Sequence, residues 1–186
     1  MSLTEEEKMN EVFSSNRWTH YGYGYCSYLV SKHVMPQLEI PARGKIVQIG
    51  CGLGLAVENL CSLYGSERVI GYDWLNPLEH PNIEIIDCHN LSAEYDIAFC
   101  EVDVASAASH PELRLQCLSW AVKNIVTGGK ILFNNNFASK HYKMDIEQYM
   151  KDLGFKVEQL RDYEHPELMK DIMKSRINTK MICTKL

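Results

Sequence analysis

Apolar residues in this 186-residue chain fall into short β-branched runs separated by longer stretches with helical spacing. Ile46–Ile49 reads as a buried parallel strand, and Arg68–Tyr72 as a second strand with Asp73 just past it. Ile83–Ile86 and Tyr95–Val102 are the third and fourth strands. Thr127-Gly128-Gly129 turns into a fifth, Lys130–Phe133, and Phe155–Leu160 and Met181–Lys185 are the sixth and seventh. Between them, Leu55–Leu63 places Ala56, Val57, Leu60 and Leu63 on one helical face, with Gly65 as its stop. Ser109-His110-Pro111-Glu112 opens a helix that runs to Val126. Asp145–Leu153 carries a stripe of Ile146, Tyr149, Met150 and Leu153 ended by Gly154, and Pro166–Arg176 one of Leu168, Met169, Ile172 and Met173.

Strands alternating with helices imply a mostly parallel α/β sandwich of three layers. If the helix Pro166–Arg176 lies outside the sheet, the sixth and seventh strands can pair antiparallel. No repeat or linker divides the chain, so residues 1–186 read as a single domain. Residues 1–42 form a helical and aromatic cap on it. Thr4-Glu5-Glu6-Glu7 begins a first short helix, and Trp18, His20, Tyr21, Tyr23, Tyr25 and Tyr28 crowd around Gly22 and Gly24. Tyr25–Val34 is then helical and ends before Pro36. This segment reads as a cover over the core, or as a lid and acceptor-pocket wall.

Composition narrows the picture in two ways. A net charge of −5 disfavours a protein held to nucleic acid by its phosphates. The cysteines, Cys26, Cys51, Cys61, Cys88, Cys100, Cys117 and Cys183, are odd in number, and no pair has C-x-x-C spacing. They read as reduced, buried thiols of a cytoplasmic protein. Cys51, Cys88 and Cys100 are expected near strand ends at one edge of the sheet. No stretch has the length and apolarity of a membrane span or the pattern of a signal peptide.

Candidate chemistry centres on Gly50-Cys51-Gly52-Leu53-Gly54, between the first strand and its helix. Alternate glycines let the backbone turn sharply and approach a ligand closely. A carboxylate at the end of the next strand, here Asp73, can accept both hydroxyls of a ribose. The dinucleotide fingerprint G-x-G-x-x-G fails, because Leu55 stands at its last glycine.

G-x-G-x-G followed by Asp73 resembles the first two motifs of class I S-adenosylmethionine (SAM) methyltransferases. Gly128-Gly129-Lys130-Ile131-Leu132 resembles that family's late glycine-pair strand, and Leu153-Gly154-Phe155 its entry to the sixth strand. The resemblance runs from about Arg43 to the C-terminus. It implies a Rossmann-like fold with a seven-stranded, mostly parallel sheet in the order 3-2-1-4-5-7-6, the last strand antiparallel. It also implies that Gly50, Cys51, Gly52 and Gly54 wrap the methionine part of SAM. Asp73 would hold the ribose, Trp74 lie against the adenine, and Asp87 and Cys88 meet its edge. Gln48 belongs to the same set but departs from the family, which carries an acid there.

Glu101 and Asp103, at the end of the fourth strand, are the catalytic candidates, with His20 and His110 as further bases. The motifs of amino-directed and cytosine-C5 DNA methyltransferases are missing around Cys100-Glu101-Val102-Asp103. Glu101 with Asn134-Asn135 resembles the layout of the metal-dependent catechol-type enzymes, but the metal-binding aspartate is replaced, so no metal is expected. The reading is a SAM-dependent methyltransferase with a small-molecule acceptor, a protein side chain being the next choice. The alternatives are a binding or scaffold protein of the same fold that transfers nothing, and another SAM-using or nucleotide enzyme on that fold.

Overall fold

In the computed structural model, residues 27–74, 76, 78–103, 111–134, 144–163 and 180–186 are described. Seven strands form one sheet: β1 Lys45–Ile49, β2 Val69–Asp73, β3 Ile83–Ile85, β4 Ile97–Val102, β5 Ile125–Asn134, β6 Phe155–Gln159 and β7 Lys180–Lys185. Their order is β3-β2-β1-β4-β5-β7-β6. The first five pair in parallel, whereas β7 runs antiparallel to both of its neighbours, β5 and β6. The expected topology is therefore the observed one.

The helices follow the apolar stripes. Helix α1 covers residues 27–33, α2 Leu55–Tyr64, α3 Pro111–Asn124 and α4 Ile146–Asp152. Side chains alternate across a strand, so β1 feeds two cores. Ile46 packs with Leu29 and Val30 of α1 and Val57 and Leu60 of α2. Val47 and Ile49 pack on the opposite face with Leu113, Cys117 and Leu118 of α3 and Ile146 and Met150 of α4. The α4 start is capped by Asp145, whose carboxylate accepts from the Gln148 N–H. Helix α1 ends ahead of Pro36, which sits in a 3-10 turn, Met35–Gln37.

Three expectations need correction. Helix α3 stops at Asn124 rather than Val126, and β5 starts at once with Ile125. Thr127-Gly128-Gly129 is thus a bulge inside β5, not a turn before it. The register steps from Ile97↔Ile125 to Phe99↔Lys130, so β5 carries extra residues there. Asp73 is the last residue of β2. Cys100 lies within β4 rather than at its end and packs in the core with α3, while Cys51 lies in the core on the other face of the sheet. The helix starting at Thr4, the Trp18–Tyr25 segment with His20, His110, and the helix Pro166–Arg176 lie outside the described residues.

Gly54 joins the glycine turn to α2 in the left-handed region, with φ +82°. A Cβ there would stand 2.6 Å from Ile83 Cδ1. Gly54→Ala is expected to cost about 1–3 kcal/mol in urea unfolding, from backbone strain and displacement of Ile83. Gly154→Ala is the control, at φ +86° with nothing within 4 Å of the new Cβ. An equal loss in both variants would show that the contact with Ile83 contributes nothing.

Candidate active site

Parallel strands end together, so β1, β2 and β4 deliver their carboxyl ends to one edge of the sheet. The glycine turn is pinned there by β2. The N–H groups of Gly50 and Cys51 donate to the Tyr72 carbonyl at 2.8 and 3.3 Å. The Gly52 N–H donates to Asp73 Oδ2 at 2.8 Å, and the Trp74 N–H to Asp73 Oδ1, also at 2.8 Å. One carboxylate thus fixes both the turn and the strand end. Each oxygen accepts one of these bonds. Gly50, Gly52 and Gly54 all have positive φ, at 79°, 57° and 82°. Cys51 turns its side chain into the core, where a Cβ on Gly71 would meet its sulfur at 2.9 Å. Burial, with the Asp73 charge nearby, pushes its thiol well up, so only its backbone remains for a ligand.

Next to this turn lies a buried polar cluster. Gln48 and Glu101 are register partners on adjacent strands, and Asp103 follows Glu101 by two residues on the same face. Antiparallel β7 begins at this edge and brings in Lys180, while α1 lowers Ser27 onto it. Lys180 Nζ donates to Glu101 Oε1 and to Asp103 Oδ2, each at 3.1 Å. Ser27 Oγ lies 2.7 and 3.2 Å from the same two oxygens and shares its single proton between them. Gln48 Nε2 reaches Glu101 Oε2 at 3.4 Å. Every member is at most 2% exposed. Burial pushes the Glu101 carboxyl up, and the Lys180 ammonium pulls it back. Two acceptors, Gln48 Oε1 and Asp103 Oδ1, have no hydrogen-bond partner among the described residues.

Comparison with solved structures assigns the architecture. Magnesium protoporphyrin IX methyltransferase from Synechocystis PCC 6803, solved with bound SAM, superposes with a TM-score of 0.54 at 18% identity, over 100% of this chain and 99% of that one. A SAM-dependent methyltransferase from Archaeoglobus fulgidus gives 0.54 at 17% identity, over 98% and 100%. The chain has the class I methyltransferase fold. DesVI from Streptomyces venezuelae superposes with a TM-score of 0.60 at 10% identity, over 100% of both chains. No family model matches the sequence, and no curated protein is a significant match.

Within this class I fold the remaining predicted residues divide. Trp74 is 64% exposed just past the end of β2, beside Asp73. Asp87 caps a 3-10 turn, Cys88–Asn90, and its Oδ1 accepts from the His89 N–H at 3.0 Å. The backbone N–H and ring of His89 hold its carboxyl below the usual range. The carboxylate is exposed. Cys88 is half-buried beside Cys117, whose thiol points toward the Cys88 carbonyl at 4.0 Å. Among the described residues no three His, Cys, Asp or Glu side chains are grouped to hold a metal. On Glu101, where a metal-dependent layout would place the cation, sits the Lys180 ammonium.

Sequence reasoning missed Ser27 and Lys180. Ser27 is hidden among aromatics. Lys180 directly precedes Met181–Lys185, the run expected as the seventh strand, and falls outside it. The antiparallel direction of β7 carried the available signal, because it puts the first residue of that strand at the carboxyl edge of β4. Among the described residues no helix is long and apolar enough to cross a membrane.

Proposed function

We propose that this chain is a SAM-dependent methyltransferase, working as a single domain on a small-molecule acceptor. The observation that carries the reading is the union of Asp73 with the glycine turn: its carboxylate binds the Gly52 N–H at the edge where Trp74 is exposed. These groups fit the cofactor. Gly50, Gly52 and Gly54 form a backbone wall for its methionine part, Asp73 offers lone pairs to a ribose diol, and Trp74 offers a face to adenine. SAM, when bound, supplies a methyl group on a sulfonium, whose departure as a neutral thioether needs no acid. The chain's own task is to hold an acceptor in line and keep water out. Glu101 and Asp103 occupy the end of β4 next to the turn and are the groups for that task. The net charge of −5 supports a small molecule over a nucleic acid.

Lys180 lends support to the alternative, a binding module that transfers nothing, because it occupies one oxygen of each carboxylate. The deciding experiment is calorimetric titration of the full chain with SAM and with S-adenosylhomocysteine, followed by an acceptor screen. One saturable site for both ligands is expected. Absence of binding overturns the proposal, and binding without transfer to any acceptor class selects the module.

Trp74→Ala gives an independent check. An exposed side chain contributes little to folding, so the unfolding free energy is expected to stay within about 0.5 kcal/mol of wild type. Loss of a base-stacking face is expected to weaken SAM binding by ~1–3 kcal/mol. Unchanged affinity would place the adenine elsewhere.

A further inference from the structure

The cluster at the end of β4 is unbalanced. All hydrogen bonds to its two carboxylates come from Ser27, Gln48 and Lys180, and Lys180 is the one cation in contact with them among the described residues. Both Glu101 oxygens accept from these donors, which suits an ionised carboxylate. With both carboxylates ionised, two anions and one cation leave a net negative charge among the described residues of this cluster, in a place 2% exposed or less. An uncompensated buried charge is costly and invites a cationic partner. The unpartnered atoms specify that partner further. Gln48 Oε1 and Asp103 Oδ1 are both acceptors and both buried, so they call for N–H or O–H donors. Against an ionised Glu101 the Gln48 amide keeps its Nε2 toward Oε2, because a flipped amide would set its oxygen against the carboxylate.

We propose that this cluster is the acceptor subsite, that it takes a protonated amine, and that the methyl acceptor is therefore an amine nitrogen. The inference rests on the methyltransferase reading and deepens it. An alkylammonium supplies the missing positive charge, and its N–H groups match the two open acceptors. Loss of one N–H proton to Asp103 Oδ1 leaves a neutral nitrogen with its lone pair and a neutral carboxyl. Ammonium and carboxylate discharge together, so the step conserves charge. Lys180 stays as a positioning residue that keeps Glu101 and Asp103 apart and oriented. An alcohol brings no charge, and a quaternary ammonium brings charge without donors. The site therefore discriminates on both counts.

The test uses the full chain with three small probes at constant ionic strength: ethylammonium chloride, ethanol as its neutral isostere, and tetramethylammonium chloride as a cation without N–H. Thermal midpoint and heat of binding are read with and without saturating S-adenosylhomocysteine. Ethylammonium is expected to raise the midpoint by a few degrees, with or without the nucleoside, and the other two probes to leave it unchanged. In Asp103→Asn the ethylammonium shift is expected to vanish. Equal responses to ethylammonium and ethanol, or to ethylammonium and tetramethylammonium, overturn the inference without recourse to a variant. A shift abolished by S-adenosylhomocysteine also overturns it, because the cation site then belongs to the nucleoside ligand's own ammonium. Failure to bind S-adenosylhomocysteine at all would sink the methyltransferase reading instead. An amine response that survives that failure would leave a cation site without the proposed reaction, and the acceptor assignment would fall with it.

Discussion

Asp73→Ala is expected to bind SAM roughly tenfold to a hundredfold more weakly than wild type. A hydrogen bond to a charged group contributes about 1.5–3 kcal/mol, and about 1.4 kcal/mol is tenfold in affinity. Two effects combine at this residue. The variant loses the acceptor offered to the ribose, and it also releases the Gly52 and Trp74 N–H groups held at 2.8 Å. The turn and the strand end then lose their common anchor. Asp73→Asn keeps one amide oxygen and is expected to fall between the two. Calorimetry decides: equal affinities for wild type and Asp73→Ala would remove the nucleoside from this edge of the sheet.

The largest expected effect on stability lies at Lys180. Lys180→Met leaves Glu101 and Asp103 buried without their cation, and breaking a buried ion pair from one side costs about 3–5 kcal/mol. Against a typical domain stability of about 5–15 kcal/mol, that is a large fraction. Urea unfolding at neutral pH is the measurement, with the m-value as a check that the unfolded state is unchanged. Adding Glu101→Gln and Asp103→Asn to Lys180→Met is expected to restore most of the loss, because no charge then remains buried without a partner. A single-variant loss below about 1 kcal/mol would mean that water reaches the cluster and screens it.

The same comparison separates structure from chemistry at this site. Wild-type stability reports on the ion cluster, whereas the ethylammonium response reports on the open acceptors. A cluster that served folding alone would move the first and not the second.

The hydrophobic pattern by itself determined the strand and helix candidates, the class of sandwich, the glycine turn and the acid that follows it. These are local properties. A strand shows its buried run, a turn its glycines and a helix its stripe within about ten residues. The sheet order came from the family resemblance, which rests on the same local motifs. Even there, contacts beyond the local pattern shifted some boundaries. The Thr127-Gly128-Gly129 bulge was absorbed into β5 because pairing with β4 continues on both sides of it.

Only the tertiary structure decided what surrounds Glu101. Ser27 and Lys180 stand 74 and 79 residues away from it, and Gln48 stands 53 away. No periodicity links such positions. They meet because β1 and β4 are parallel neighbours in register, because β7 enters in the opposite direction, and because α1 crosses the edge where all three arrive. The charge imbalance and the two open acceptors follow from that meeting. In the sequence, Lys180 was one more basic residue beside a strand, and Gln48 a neutral substitute for an acid. Packed together, they set the charge and the hydrogen-bond demand of the site.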